Sequence, residues 1–270
     1  MRIVIIGSGN VATVLGRRIY LAGHTIVQVY SRNGAGAAKL ARELEASPCI
    51  EPVAVDLTAD LYLIAVSDSA ISTIAGWLRV QDKIVAHTAG SVSMAALSPC
   101  SSSIGVIYPL QTIRKEADMV QDIPILVDGN HDEAKTALFD LANDVSGTVQ
   151  FADDNKRSHL HTAAVVVNNF SNYLYTLAAD YCENENLDFR LLTPLIAETA
   201  ERIKVQLPKD VQTGPAVRND VKTIDEHLQK LANYPDLAEL YRLFTKKIIS
   251  YYSENVVFPA AKNNNGMHLR

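Results

Sequence analysis

A chain of 270 residues, 48% hydrophobic and 20% charged, suits one large domain or two modest ones and can bury a full core. Its formal net charge of −5 leaves no basic field for nucleic acid, and no apolar run reaches the length that spans a bilayer. Cys49, Cys100 and Cys182 are isolated and fit no zinc or redox spacing, and the N-terminus starts straight into a strand without signal-peptide anatomy, so a reducing, cytoplasmic setting is expected.

Residues 2–6 (Arg-Ile-Val-Ile-Ile) are a short, β-branched apolar run of the kind that makes a buried parallel strand. Gly7-Ser8-Gly9-Asn10-Val11-Ala12 follows at once and fits Gly-x-Gly-x-x-Ala, with a helical pattern through Leu15, Ile19 and Ala22 after it. Gly7 permits the tight strand-to-helix turn, Gly9 lets a pyrophosphate approach the backbone, and Ala12 lets the helix lie close to the sheet. Phosphates then sit on the free N–H groups and positive end of that helix, bordered by Ser8, Asn10 and Val11. A second strand at 25–30 ends in Ser31-Arg32-Asn33, where an NAD site carries Asp or Glu for the ribose 2′-hydroxyl. A hydroxyl and a guanidinium suit a 2′-phosphate instead, so the dinucleotide expected is NADP, held there by Ser31 and Arg32.

A helix-forming stretch through Lys39 to Ala46, ended by Pro48, precedes a third short strand at 51–55 and a fourth at 59–66. Ser67 or Asp68 caps the next helix, at 70–78. Ligands of an open parallel sheet lie beyond the carboxyl ends of its strands, so Val66 and Ser67 are expected to border the cofactor. Strands follow at 83–87, 103–107 and 124–127, then Asn130 with Glu133 as capping box of a helix to about Val145, then a last strand at 147–151. His87, Thr88, Tyr108 and Gln111 stand at strand ends, where polar groups can flank a nicotinamide. A strand-terminal histidine is more often satisfied within the fold, so both readings of His87 stay open.

At Asp153 the alternation stops and only helical patterns remain, at 158–181, 193–205, 214–232 and 236–252, with a frayed tail from Asn263. The expected architecture is a doubly wound, mainly parallel α/β Rossmann sheet over 1–152 followed by a smaller all-α domain over 153–270. On the first of these helices His161, Asn168 and Asn172 share a face, opposite Ala163, Val166, Val167 and Phe170. That stripe is a solvent face, which the pattern alone favours, or the wall of a cleft. In a cleft, His161 serves as proton donor and the asparagines bind substrate. Arg218 can hold a carboxylate or phosphate bidentately, or be a plain surface charge, and Asp220 flanks the buried stripe of its helix. No ligand spacing supports a metal site, and no nucleophile elbow frames Ser31, Ser67 or Ser91.

Gly-Ser-Gly-Asn-Val-Ala (7–12), Tyr-Ser-Arg-Asn (30–33), Ala-Asp-Leu-Tyr-Leu-Ile-Ala-Val-Ser-Asp (59–68), His-Thr-Ala-Gly-Ser (87–91), Tyr-Pro-Leu-Gln-Thr (108–112) and Thr-Gly-Pro-x-x-Arg-x-Asp (213–220) stand in order. Together they resemble a family of NADP oxidoreductases with a Rossmann-like domain and a helical C-terminal domain. The wider likeness is to the 6-phosphogluconate dehydrogenase-like superfamily, which includes deazaflavin-dependent NADP reductases and pyrroline-5-carboxylate reductase. The resemblance implies a homodimer through the helical domain, and a small-molecule substrate in the cleft between domains. Two departures stand out. Relatives often carry His where this chain has Tyr108. The β-hydroxyacid branch carries a catalytic lysine four residues before an asparagine, where this chain has Ala164 or Val165. The reading is therefore hydride transfer between NADP(H) and a small polar carbonyl, imine or hydroxy acid. His161 is the acid/base supported by Asn168, and Arg218 and Asp220 orient the substrate. The missing lysine keeps open a second reading, an NADP-binding sensor without turnover.

Overall fold

The computed structural model describes residues 1–116 and 122–255, and the chain divides into two compact units, Met1–Phe170 and Ser171–Arg270. The tail expected from Asn263 lies outside the described residues.

The first unit is built on β1 (Arg2–Ile6), α1 (Asn10–Leu21), β2 (Thr25–Tyr30), α2 (Gly34–Glu43), β3 (Ser47–Cys49), β4 (Leu61–Ile64) and α3 (Asp68–Trp77). It continues with β5 (Ile84–His87), β6 (Ile104–Pro109), β7 (Ile125–Gly129), α4 (Asp132–Val145), β8 (Val149–Phe151) and α5 (Asp154–Ala164). Among the described residues the strands form one eight-stranded sheet in the order β3-β2-β1-β4-β5-β6-β7-β8. Every pair is parallel except β6 with β7.

The strands are apolar without a break because both sheet faces are covered. Ile3, Ile5, Leu61 and Leu63 join α1, α2 and α4 in one core layer, while Val4, Ile6, Tyr62 and Ile64 join α3 in the other. This is the period-two alternation of a strand with two buried sides, and each such side chain contributes about 2 kcal/mol of burial. The strand order turns back on itself at β1, with β2 on one side and β4 on the other. The carboxyl ends of those three strands therefore frame a crevice at the switch point.

Several boundaries differ from expectation for local reasons. Helix α2 starts at Gly34, since the Asn33 side chain accepts from Gly36 N at 3.1 Å and caps it. The third strand is Ser47–Cys49 around Pro48, and the stretch expected as a strand turns instead as a short 3-10 segment, Pro52–Ala54. A proline fits this position because β3 is an edge strand. His131, and not Asn130, caps α4; Asn130 accepts from Ile104 N at 2.9 Å and donates to Ser102 O at 2.7 Å, stitching β7 to β6.

The β/α alternation does end at Asp153, but the contacts divide the chain later, at Phe170, because α5 packs with the first unit. After α5 the chain forms a π-helical turn, Val165–Phe170. The second unit then holds α6 (Ser171–Asn184), α7 (Thr193–Arg202), α8 (Val221–Lys230) and α9 (Pro235–Asn255). Helix α8 begins seven residues later than the sequence pattern suggested, where Asp220 caps it. Within this unit Tyr234 donates to Glu185 at 2.7 Å, and Tyr241 pairs with His227 Nδ1 at 2.8 Å. Its buried apolar set is thin (Cys182, Ala216, Ile224, Leu231, Ala238), while Leu191, Leu195 and Val205 are 77%, 63% and 83% exposed. Among the described residues no helix is long and apolar enough to cross a membrane.

Candidate nucleotide site and the adjoining cavity

The crevice at the switch point is a cavity of about 850 Å³. Gly7, Ser8, Gly9, Asn10, Val11, Ser31, Arg32, Val66 and Ser67, all expected at a cofactor, line it. Gly7 is at φ +130°, and a Cβ there would lie 2.1 Å from Ala65 O, so β1 can turn into α1 against β4 only with glycine. Gly9 is the N-cap of α1 and carries no side-chain cap bond; a Cβ there would meet nothing within 4 Å. The first turn of α1 thus offers its N–H groups to the cavity, the arrangement an anion needs. Ser31 Oγ accepts from Ser8 Oγ at 2.9 Å and from Asn33 N at 3.2 Å, which holds the tip of β2 over the glycine turn. Arg32 is exposed and makes no hydrogen bond or ion pair among the described residues, so its guanidinium remains available to a phosphate. These features fit a dinucleotide with a 2′-phosphate.

The opposite wall was not read from the sequence. Ala70, Thr73, Ile74 and Trp77 of α3 form it, with Trp77 edge-on to Tyr30 at 5.3 Å between ring centroids. Ala70, Thr73 and Trp77 share one helix face at spacings of three and four, and that wheel was the available signal.

His87 is not part of this wall. Its side chain is fully buried, Nδ1 accepts from Ala89 N at 3.2 Å, and Nε2 has no hydrogen-bond partner among the described residues. Burial, reinforced by the nearby Arg157 charge, holds its pKa down to about 4 from an ordinary 6.5, so it sits neutral in the core. The unfolded chain binds a proton that the folded one refuses. The resulting stability is complete above pH 6.5 and is lost as pH falls through 4, at a total of about 3 kcal/mol. Denaturation midpoints measured from pH 7 to pH 4 should therefore fall more steeply for the wild type than for His87→Asn, which keeps an acceptor for Ala89 N; parallel curves would refute this.

A second cavity, of about 530 Å³, lies within the same unit. Tyr108, Gln111, Thr112, His161, Asn168 and Asn169 supply its polar groups, and Leu110, Leu160, Val165 and Val167 much of its apolar surface. Gln111 lines both cavities, so they adjoin. The Tyr108 hydroxyl lies 2.8 Å from His161 Nδ1, with the rings edge-on, and burial raises the Tyr108 pKa. Asn168 sits on the π turn and donates to Thr112 Oγ1, tying that turn to the segment that follows β6. The stripe on the long helix is thus a cavity wall for His161 and Asn168, whereas Asn172 falls beyond the π turn on α6. Val166, Val167 and Phe170, read as lying opposite the stripe, are exposed at 52%, 72% and 57%.

Arg157, in a stretch of wholly polar composition, is the largest fully buried side chain among the described residues. It donates to Val92 O and pairs with Asp154 at 2.7 Å, while Asp154 accepts from Ser93 Oγ and Met94 N. The loop after β5 is thereby clamped to the first turn of α5, and His161 stands one turn further along. Arg218 and Asp220 belong to the second unit. Arg218 is exposed, and both Asp220 oxygens are engaged by Thr223, through its N–H at 3.2 Å and its hydroxyl at 2.8 Å. Those bonds hold the Asp220 carboxyl below its usual range, and the residue caps α8.

Residues 2–90 match the family described as NADP oxidoreductase, coenzyme F420-dependent, and residues 123–248 match a domain of unknown function, DUF2520. No curated protein matches. A candidate NADP oxidoreductase from Bacteroides fragilis is 37% identical, with 92% of this chain and 98% of that chain covered and a TM-score of 0.85. The fold also matches 1-pyrroline-5-carboxylate reductase from Streptococcus pyogenes (15% identity, 93% and 98% covered, TM-score 0.62). A reductive aminase from Aspergillus terreus, solved with NADPH and ethyl-5-oxohexanoate, matches at 15% identity, 94% of both chains and a TM-score of 0.72. The chain belongs to the NADP oxidoreductase family, enzymes in which a Rossmann-like nucleotide domain is followed by a helical C-terminal region.

Proposed function

We propose that this enzyme reduces a small polar carbonyl or imine, or oxidises the corresponding hydroxy compound, in the cavity of Tyr108, His161 and Asn168. The observation that carries this reading is Gln111, which lines both cavities and so sets the second one beside the nucleotide site. NADPH, when bound, supplies the hydride. Ser31 and Arg32 hold its 2′-phosphate, and the glycine turn with the start of α1 holds its pyrophosphate. His161 gives or takes the proton at the reacting oxygen or nitrogen, and the Asn168 and Gln111 amides orient the substrate. The fold shared with reductases of imines adds C=N to C=O among the substrates to offer.

The apolar side chains exposed on the second unit, Leu191, Leu195 and Val205 among them, support a homodimer formed through that unit. Three free, buried cysteines support a cytoplasmic location.

The test is fluorescence titration with NADPH and NADH, followed by NADPH consumption against a panel of small carbonyls and imines. Arg32→Ala should weaken NADPH roughly ten- to a hundredfold, as expected for a lost charge-assisted bond, and leave NADH unchanged. Equal losses would remove the 2′-phosphate from Arg32. NADPH binding without consumption of any acceptor would make the chain a sensor.

A further inference from the structure

Two features around His161 lie outside the lining of the nucleotide cavity. One is the Tyr108 hydroxyl, 2.8 Å from His161 Nδ1. The other is Gly90, in the loop after β5. A Cβ at Gly90 would lie 2.7 Å from His161 Nδ1, 2.8 Å from His161 Cγ and 2.9 Å from Tyr108 Cζ. The pair can close only because residue 90 has no side chain, and the Arg157–Asp154 clamp holds that loop on α5.

We propose that Tyr108 and Gly90 set which nitrogen of His161 carries its proton, with the Tyr108 hydroxyl donating to Nδ1 and Nε2–H left as the group presented to the cavity. The inference rests on His161 being the proton-transfer group. A phenol whose burial keeps it protonated through the neutral range is the donor of such a pair, and a neutral imidazole is the acceptor at Nδ1. A histidine with one nitrogen fixed as acceptor has its proton on the other, so the ring is held in one orientation and one tautomer before substrate arrives.

The proton inventory closes. As the Nε2–H bond breaks and a bond to the substrate oxygen or nitrogen forms, the phenol proton passes to Nδ1. The imidazole stays neutral and the negative charge moves to the Tyr108 oxygen; the phenol then takes its proton back from Nδ1 as water reprotonates Nε2, which restores the starting pair. Tyr108 is therefore a positioning residue, which acts through His161.

The experiment is NMR of the imidazole nitrogens in histidine-labelled protein without nucleotide, joined to steady-state kinetics. In the wild type, His161 should show Nε2 protonated and Nδ1 as a hydrogen-bonded acceptor. Tyr108→Phe should release the single tautomer, so that His161 exchanges between Nδ1–H and Nε2–H and Nδ1 no longer reads as a hydrogen-bonded acceptor. It should also lower kcat roughly ten- to a hundredfold with KM and NADPH affinity unchanged. Gly90→Ala, which keeps both partners and wedges them apart, should reproduce both changes. A wild-type His161 protonated at Nδ1 would overturn the proposal, as would unaltered nitrogen signals and kcat in Tyr108→Phe. Those results would leave the role of His161 standing, whereas wild-type turnover in His161→Ala would remove that role itself.

Discussion

Gly7→Ala is expected to destabilise the first unit by about 3 kcal/mol or more and to abolish nucleotide binding with it. Two independent terms act together. The backbone at residue 7 has φ +130°, which an L side chain rarely adopts, and the new methyl would fall 2.1 Å from Ala65 O. Neither atom can give way cheaply, because Gly7 N donates to Tyr30 O at 2.8 Å and Ala65 N donates to Ile6 O at 2.8 Å. The turn is pinned on both sides to its neighbouring strands. For a unit of this size the melting temperature should fall by roughly 10 °C, read by thermal unfolding. Gly9→Ala is the informative control. Its Cβ meets nothing within 4 Å, so the fold should survive, while a methyl now occupies the approach to the helix N-terminus and weakens NADPH. A Gly7→Ala protein with wild-type melting would overturn the packing argument.

His161→Ala carries the largest expected effect on chemistry, a fall in kcat of roughly a hundred- to ten-thousandfold, the range over which a positioned acid/base works. NADPH affinity should hold, since His161 lines the second cavity and the nucleotide cavity is walled by other residues. That split between turnover and binding distinguishes proton transfer from general damage. Asn168→Ala should behave more mildly, because its amide also ties the π turn to Thr112 and its loss loosens the wall without removing the acid. Unchanged turnover in His161→Ala would end the assignment.

The part of the site written in contiguous residues was legible. Strand, glycine turn, helix and the Ser31-Arg32 tip lie within the first thirty-two positions, and short-range rules of turn and strand-end geometry govern all of them. What needed the fold was pairing across distance. Tyr108 and His161 are 53 positions apart, and nothing in their separate patterns brings a β6 end against α5. The helical wheel carried His161 and Asn168 to one face correctly, then failed at Asn172, because a π turn advances the phase by less per residue than the 100° assumed. Composition misled twice. Asp153-Asp154-Asn155-Lys156-Arg157 looks like a polar joint, yet Arg157 is the largest fully buried side chain among the described residues, its charge matched by Asp154 and by a carbonyl of a loop sixty-five positions away. His87 ends a strand, as a ligand-facing residue does, but the close of β5 is itself covered.

Gln111 gives the two cavities a common wall, and a shared wall makes their occupants thermodynamically interdependent. Whatever shift in that carboxamide one occupant imposes, the other must bind to the altered shape. Linkage requires the factor by which the first changes the affinity of the second to equal the factor running the other way. Substitutions at residue 111 should be read as changes in that shared factor before they are read as the loss of a contact on either side.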